Sequence, residues 1–288
     1  MNILITGSNG QLGKDCEHVF KKNHTITCVD IEDLDITNAD HTDAYVGKIK
    51  PDIIINCAAF TQVDACETQR KVADNVNING AQNIAKSARK YNALCIHIST
   101  DYIFDGKKNP GESYVETNIP SPLSHYGRSK LAGERSVMNN ADNYIILRTA
   151  WLYGFSGQNF LKTILNKTLR QPETQIKIVN DQFGSPTWSF RLALQIEHLI
   201  ENKGRGIYHA SAEGYCSWYD FAKYFLEKLD VDHNIIPCTT SEYPTPAVRP
   251  KCAILENRRL KNENVNMMEH WQKDVDEYVR QYGKQLIA

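Results

Sequence analysis

The sequence has almost no net charge and no apolar run long enough to cross a membrane. Its 33 basic and 34 acidic side chains leave a formal charge of −1, so it lacks the positive excess typical of proteins that bind nucleic acid or anionic membranes. No apolar run approaches the roughly 20 residues of a transmembrane helix. The N-terminal residues resemble a strand rather than a signal peptide. We therefore expect a cytoplasmic protein with neither a nucleic-acid nor a membrane partner.

The eight cysteines form neither a metal-site pattern nor a disulfide framework. They are scattered, without a Cys-x-x-Cys pair and without a Cys/His cluster at zinc-ligand spacing. Cys28, Cys57 and Cys95 lie inside apolar runs, where a free thiol behaves as a small core residue. Free thiols are typical of a reducing compartment. The sequence assigns no metal.

Short apolar runs alternate with helix-length segments in the first half of the chain. The runs are mostly β-branched or apolar, as in strands that are buried on both faces of a parallel sheet. We predict strands at 2–6, 25–29, 53–57, 94–98 and 144–147, and helices over about 11–22, 39–49, 71–91 and 125–139. This alternation predicts an α/β protein with a Rossmann-type, doubly wound parallel sheet.

The rhythm changes after Arg148. Helices are expected at about 158–170, 188–202, from Trp218 with Ser217 as its cap, and near 268–283; strands are expected at 175–179 and 206–210, and a loop over 237–250. We predict a dinucleotide-binding domain over 1–150 that also recruits 175–187. A smaller, mainly substrate-binding region would occupy 151–288, with a soft boundary.

A glycine-rich turn follows the first predicted strand. Gly7, Gly10 and Gly13 form G-x-x-G-x-x-G between a strand and a helix, where glycines allow a tight turn and a close approach to a pyrophosphate. Asp30 ends the second strand, and its carboxylate can accept both hydroxyls of an adenosine ribose. It would repel a 2′-phosphate. Since no Arg or Lys lies between 23 and 47, the residues favour NADH over NADPH.

Tyr126 and Lys130 form a Y-x-x-x-K pair on a predicted helix. Positions i and i+4 share a helix face, so the ammonium is expected to lower the pKa of the phenol and make it an acid/base group. Thr100 ends a predicted strand, where the ligand crevice of a doubly wound sheet lies. Its hydroxyl could polarise a substrate carbonyl.

Together these residues resemble the extended short-chain dehydrogenases/reductases, and within them most closely the dTDP-4-dehydrorhamnose reductases. The resemblance covers most of the chain. The matching segments are 7–13, 56–64, 99–106, 126–134, 148–154, 180–187 and 249–250.

The resemblance implies that hydride from NADPH or NADH reduces the C4 keto group of dTDP-4-dehydro-L-rhamnose to give dTDP-L-rhamnose. It implies Tyr126 as general acid, with Thr100 as a second donor and Lys130 tuning Tyr126. The implied cofactor contacts are Gly7, Gly10, Gln11, Leu12, Asp30, Asp35, Ile36, Ala58, Ala59, Phe60, Tyr126 and Lys130. The implied substrate contacts are Thr100, Asp101, Trp151, Asn159, Gln182 and Arg249.

Two other functions remain open at this point. A nucleotide-sugar 4,6-dehydratase typically needs an Asp-Glu pair after the threonine, whereas this chain has Asp101-Tyr102. A 4-epimerase tends to hold its NAD tightly and to be longer than this chain. A non-catalytic regulatory subunit of the methionine adenosyltransferase type would keep the fold and the glycine loop. Relatives with a metal-linked dimer carry acidic residues near 188–190, where this chain has Trp-Ser-Phe. No metal is therefore carried over, and a homodimer stays open.

Overall fold

The computed structural model describes residues 1–287, and a parallel sheet organises the first half of that chain. The strands are β1 (Asn2–Thr6), β2 (Thr25–Val29), β3 (Ile53–Asn56), β4 (Leu94–Thr100), β5 (Tyr144–Thr149), β6 (Leu152–Tyr153), β7 (Ile176–Val179), β8 (Phe183–Gly184), β9 (Thr187–Trp188), β10 (Gly206–His209), β11 (Cys216–Ser217) and β12 (Ile235–Cys238). The helices are α1 (Gln11–Phe20), α2 (Ala39–Ile49), α3 (Ala65–Thr68), α4 (Arg70–Asp74), α5 (Ala81–Lys90), α6 (His125–Asn140), α7 (Phe160–Arg170), α8 (Ser189–Glu201), α9 (Trp218–Lys228), α10 (Arg258–Asn262) and α11 (Trp271–Ile287).

Six strands form the central sheet in the order β2-β1-β3-β4-β5-β10, and all pairs are parallel. The order of the strands reverses between β1 and β3, which creates a crevice at their carboxyl ends. The predicted α/β class and doubly wound sheet are confirmed.

Helices cover both faces of this sheet because its strands are apolar on both faces. Ile3 and Ile5 of β1 pack with α1 and α8 on one face. Leu4, between them, points to the other face and packs in the cluster formed with α2, α5 and α6. The alternation of side chains along β1 is the period of two expected for a strand.

A second core lies under α7, α9 and α11. It is rich in aromatic side chains, including Tyr153, Trp188, Phe221 and Tyr278. Three two-stranded sheets accompany it, formed by β6 with β9, β7 with β12, and β8 with β11. Most of the strands that follow β5 belong to these short sheets.

The strand near 175–179 does not join the central sheet, so the expected recruitment of 175–187 is wrong. β7 pairs with β12 over Ile176–Val179, and the last two residues of β12 fall in the predicted 237–250 loop. The segment that returns to the central sheet is instead α8 and β10, and β10 pairs with β5. Long-range packing decides this choice: α8 shares its apolar face with α1 against the sheet.

The predicted helix over 71–91 is interrupted. A π-helical turn at Asn75–Gly80 separates α4 from α5, and such turns are frequent at functional sites. Its Asn77 side chain points inward and is buried. No helix within residues 1–287 combines the length and the apolarity needed to span a bilayer.

Candidate active site

A cleft of about 770 Å³ opens at the carboxyl ends of β1, β3, β4 and β5, on both sides of the reversal in strand order. The sequence-predicted residues that line it are Gly7, Gly10, Gln11, Leu12, Asp30, Asp35, Ile36, Ala58, Ala59, Phe60, Thr100, Asp101, Tyr126, Lys130, Trp151 and Asn159. Residues from both halves of the chain therefore meet in one cavity.

The glycine turn is shaped for close approach by a ligand. Gly7 has a φ of +65°, and a Cβ there would lie 2.6 Å from the amide nitrogen of Ala58. A Cβ on Gly13 would overlap the Gly7 carbonyl, so the helix packs directly on the turn. Gly10 caps α1 without a side chain, which leaves the first N–H groups of the helix facing the cleft. This is the cradle that a pyrophosphate requires, so these residues fit a dinucleotide.

The far end of the cleft is acidic. Asp30 accepts hydrogen bonds from the amides of Asn9, at 2.9 Å, and Ile31, at 2.8 Å. Its carboxylate therefore braces the glycine turn and also faces the cavity. Asp35 lies nearby and accepts bonds from Thr37. Negative charge at this end suits ribose hydroxyls and opposes a 2′-phosphate.

Asn77 holds the loop that follows β3, and sequence reasoning did not single it out. Its side chain accepts from the Phe60 amide at 2.9 Å and donates to the Phe60 carbonyl at 3.1 Å. It also donates to the Ser129 hydroxyl of α6 at 2.9 Å. One buried amide thus joins the expected cofactor loop to the helix that carries Tyr126.

Tyr126 and Lys130 lie in successive turns of α6. Ser124 caps this helix by accepting from the Gly127 amide, and this fixes where its first turn begins. Tyr126 is buried, and Lys130 is only 3% exposed. The Lys130 ammonium donates to the Ile98 carbonyl of β4 at 2.6 Å. The helix and the strand end are therefore tied together beside the cleft.

Burial controls the protonation of this pair. It raises the pKa of Tyr126 above its usual value, and contact with Thr100 opposes that shift only in part. Burial therefore dominates the pKa of Tyr126 in the ligand-free cleft, and the lowering expected from Lys130 stays a prediction for the occupied site. Burial also lowers the pKa of Lys130 to about 8, against the opposing field of Glu134. At neutral pH the phenol keeps its proton, which is the state that a general acid needs.

The side chains of Thr100 and Asp101 are hydrogen-bonded to each other at the end of β4. The Thr100 hydroxyl donates to Asp101 Oδ1 at 3.0 Å and accepts from the Tyr102 amide at 3.2 Å. Burial raises the pKa of Asp101 to about 7. While Asp101 is ionised, the hydroxyl proton of Thr100 points to the carboxylate. A protonated Asp101 would donate instead and release that proton toward the cleft.

Aromatic rings form the wall opposite α6. Trp151 stacks on Trp218 with ring centroids 3.5 Å apart and planes 7° apart. Trp151 has a φ of +45°, which is unusual for a bulky residue. Gly184 leaves room for the Trp151 indole, because a Cβ at position 184 would overlap the ring. Sequence reasoning missed Trp218, since nothing local signals a stacking partner 67 positions away.

Asn159 lines the cleft at the start of α7. It caps α7 by accepting from the Lys162 amide, and its side-chain amide donates to Gln11 Oε1 at 3.0 Å. The start of α7 is therefore linked to the start of α1, beside the glycine turn.

Two predicted substrate residues do not reach the cleft. Gln182 is buried and donates to the Thr240 hydroxyl at 3.1 Å. The Arg249 guanidinium pairs with both carboxylate oxygens of Asp64. Partners within the protein hold the polar groups of both residues, and their contact with the substrate stays a prediction. Further cleft residues that the sequence analysis did not name as contacts include Cys57, Val63, Val76, Tyr102, Thr149, Phe160, Trp218 and Phe221.

A metal site does not emerge from the described residues. Among residues 1–287, no group of three or more His, Cys, Asp or Glu side chains is placed to hold an ion. Lys130 is the one lysine or arginine among the described residues that line the cleft. The other charged side chains that line the cleft are Asp30, Asp35 and Asp101.

Comparisons with known proteins agree with this arrangement. A dTDP-4-dehydrorhamnose reductase from Aggregatibacter actinomycetemcomitans is 37% identical, with 98% of this chain and 99% of the relative covered. The crystal structure of such a reductase from Clostridium acetobutylicum is 40% identical with a TM-score of 0.94, covering 98% of this chain and 99% of that one. A Bacillus anthracis dTDP-4-dehydrorhamnose reductase solved in complex with NADP is 37% identical with a TM-score of 0.94, covering 97% and 99%.

The model of the RmlD substrate binding domain family matches residues 1–284. This match spans the glycine turn, the Tyr126–Lys130 helix and the aromatic wall. The chain therefore belongs to the RmlD substrate binding domain family.

Proposed function

We propose that the protein reduces the C4 keto group of dTDP-4-dehydro-L-rhamnose to give dTDP-L-rhamnose, with NADH or NADPH as reductant. One observation carries the proposal: the protonated phenol of Tyr126, the Lys130 ammonium and the Thr100 hydroxyl lie in the same cleft as the glycine turn. The named reductases that match nearly the whole chain support it.

The bound dinucleotide would supply a hydride to C4 of the sugar. The residues that would hold its pyrophosphate are those of the glycine turn and the first turn of α1. Asp30 would bind the adenosine ribose, and Ala58, Ala59 and Phe60 would line its path. Their geometry fits because the turn leaves no room for a Cβ at Gly7 or Gly13.

Tyr126 would donate its phenolic proton to the oxygen at C4 as negative charge develops there. Its raised pKa keeps this proton in place until the reaction demands it. Lys130, charged at neutral pH and buried beside α6, would stabilise the phenolate that remains. Thr100 would provide the second hydrogen bond to the oxygen when Asp101 is protonated. General acid catalysis of this kind contributes about 10²–10⁴-fold.

Two regions would divide this work. We propose that residues 1–150, joined by α8 and β10, bind the dinucleotide, and that most of the remaining chain binds the sugar nucleotide. Trp151 would contact the sugar, and Asn159 would link the two ligands. We further propose a cytoplasmic location, which cell fractionation tests. Light scattering of the purified chain tests whether it forms a homodimer.

A direct assay tests the function. The keto sugar nucleotide is generated in situ, NADH and NADPH are supplied separately, and the loss of nicotinamide absorbance is followed. The expected product is dTDP-L-rhamnose, identified by NMR. Absence of turnover with both cofactors, in protein that binds them, would reject the reductase proposal and revive a non-catalytic role. A product epimerised or dehydrated at other carbons would instead favour the related sugar-nucleotide enzymes.

A further inference from the structure

Two residues that line the cleft, Thr149 and Tyr153, carry a buried hydroxyl with no hydrogen-bond partner among residues 1–287. Thr149 Oγ1 is inaccessible to solvent and makes no hydrogen bond to any of residues 1–287. The residue is 7% exposed and lines the cleft. Buried polar atoms are nearly always hydrogen-bonded, and those that are not are commonly found at functional sites.

The sheet directs this hydroxyl toward the reacting groups. Thr149 lies directly opposite Thr100 in the parallel pair formed by β5 and β4, and adjacent strands are about 4.8 Å apart. Ile145 and Leu147 of β5, two and four positions earlier, face α1 and α8. Alternation therefore places the Thr149 side chain on the same face as theirs, and the same argument applies to Thr100.

Other unpartnered atoms differ from Thr149 Oγ1 in their surroundings. Tyr153 also lines the cleft, but its ring packs against Phe221 and Tyr278 in the aromatic core. The Thr168 hydroxyl is unpartnered and buried on α7, and its residue does not line the cleft. Asp101 Oδ2 is the other unpartnered atom beside Thr100.

We propose that Thr149 is a ligand-binding residue whose hydroxyl forms a hydrogen bond with an uncharged oxygen of the bound reactants next to the reacting C4. This inference rests on the proposed reduction. Two oxygens have that chemistry: a sugar hydroxyl on a carbon adjacent to C4, and the carboxamide oxygen of the reduced nicotinamide. The neighbouring Trp151 favours the sugar.

The hydrogen bond would position the reactants without taking part in proton transfer. Thr149 is a neutral group beside Thr100, so it would hold C4 near Tyr126 and add no charge to the cleft. Removing such a bond from a buried ligand typically weakens the affected constant by about 5- to 50-fold.

The test compares two threonine-to-valine changes that remove the same atom. Thr149→Val is expected to raise KM for the keto sugar nucleotide, or Kd for NAD(P)H, by about 5- to 50-fold. Thr168→Val, at an equally buried and unpartnered hydroxyl outside the cleft, is expected to change neither. Thr149→Ser keeps the hydroxyl and is expected to restore most of the lost affinity.

Separate measurements identify which oxygen is bound. Calorimetry with NAD(P)H alone tests a hydrogen bond from Thr149 to the carboxamide oxygen. Calorimetry with dTDP-L-rhamnose in the presence of oxidised cofactor tests a hydrogen bond to the sugar hydroxyl. A loss confined to either ligand supports the proposal and names the oxygen. Unchanged constants for both ligands in Thr149→Val, or a loss equal to that of Thr168→Val, would overturn it.

Stability gives an independent readout. Because the Thr149 hydroxyl makes no bond within residues 1–287, its removal is expected to leave Tm of the ligand-free protein unchanged or higher. A lower Tm with unchanged ligand binding would assign the hydroxyl to folding and overturn the inference. If wild type binds both ligands but fails to turn over, the proposed function fails, whereas the calorimetric comparison still decides the role of Thr149.

Discussion

The guanidinium of Arg249 forms a two-point ion pair with the carboxylate of Asp64, which lies 185 residues earlier in the chain. Its two terminal nitrogens lie 3.1 and 2.8 Å from the two carboxylate oxygens, and the pair lowers the pKa of Asp64. The Arg249 charge also opposes the rise that burial causes in the pKa of Tyr102, whose ring meets that of Tyr126 edge-to-face at 5.5 Å. The pair thus connects the C-terminal region to Asp64, which precedes α3.

Arg249→Ala is expected to cost stability rather than substrate affinity. The pair is partly exposed, so its loss should lower the free energy of unfolding by about 1 kcal/mol, or Tm by roughly 2–4 °C. The loss should be larger at pH 7 than at acidic pH, because the stability given by a carboxylate of lowered pKa disappears as the pH falls through that pKa. KM for the sugar nucleotide should stay within about twofold, since internal partners occupy the guanidinium.

The matched control is Arg135→Ala, which removes an exposed arginine of α6 and should change neither quantity. Thermal melts at two pH values measure the loss of stability, and steady-state kinetics measure KM for the sugar nucleotide. A tenfold rise in KM with unchanged Tm would place the guanidinium on the nucleotide, as the sequence had suggested.

Tyr126→Phe is expected to lower kcat by about 10²–10³-fold, because the variant loses the one proton donor that the site offers to the C4 oxygen. Kd for NAD(P)H should change little, since the ring and the Lys130 contact with Ile98 remain. Tyr224→Phe, which removes a surface phenol that donates to Asp276, serves as control. Near-normal turnover in Tyr126→Phe would remove Tyr126 from the role of acid.

The local signals in the sequence predicted the parts of the site that local structure builds. The glycine turn follows from its spacing between a strand and a helix, and the shared face of Tyr126 and Lys130 follows from their i, i+4 spacing. Both depend on neighbouring residues only. The carboxyl ends of parallel strands then bring them to one crevice, because connections in such sheets follow a fixed hand.

Long-range contacts produced the differences. Whether β7 or β10 joins the central sheet depends on how α8 packs against α1. The sequence of either strand alone does not indicate which of the two pairs with β5. The stacking of Trp218 on Trp151 and the capture of Arg249 by Asp64 are likewise tertiary. Burial explains the remaining difference, since the i, i+4 pattern indicates a neighbour for Tyr126 but not the desolvation that raises its pKa.

Asp30→Ala is expected to reduce the preference for NADH over NADPH by about tenfold or more, because a charged acceptor for ribose hydroxyls is lost. Asp30 also braces the glycine turn through the Asn9 amide, so Asp30→Asn separates the two effects: it keeps an acceptor but removes the repulsion of a 2′-phosphate. We expect kcat/KM for NADPH to be higher in Asp30→Asn than in the wild type.

Glu32→Gln changes an exposed charge nearby and should alter both cofactors equally and slightly. The measurement is kcat/KM for each cofactor at fixed ionic strength. An unchanged NADH/NADPH ratio in Asp30→Ala would exclude a ribose contact.

Asp101 should give the reaction an alkaline limit near pH 7. Its pKa is raised to about 7 by burial, and only its protonated form frees the Thr100 hydroxyl for the substrate. We therefore expect kcat/KM to fall as the pH rises through about 7. Asp101→Asn carries an amide donor toward Thr100 at every pH, so the fall in kcat/KM near pH 7 should disappear. The remaining fall in kcat/KM should lie near pH 8, the pKa of Lys130. A limb near 7 that persists in the variant would rule out Asp101 as its source.

The same carboxyl should make stability depend on pH in a direction that can be checked. Because its folded-state pKa lies above the ordinary 3.8, Asp101 contributes most favourably below pH 4, and that contribution is lost as the pH rises through about 7. Asp101→Asn, which cannot ionise, should therefore be more stable than wild type by roughly 1–4 kcal/mol at pH 8 and by much less at pH 5. Denaturant unfolding at both pH values measures the difference, with the exposed Asp142→Asn as control. A variant that is equally destabilised at both pH values would show that the carboxyl is paired when charged, contrary to the unpartnered Oδ2 seen in the structure.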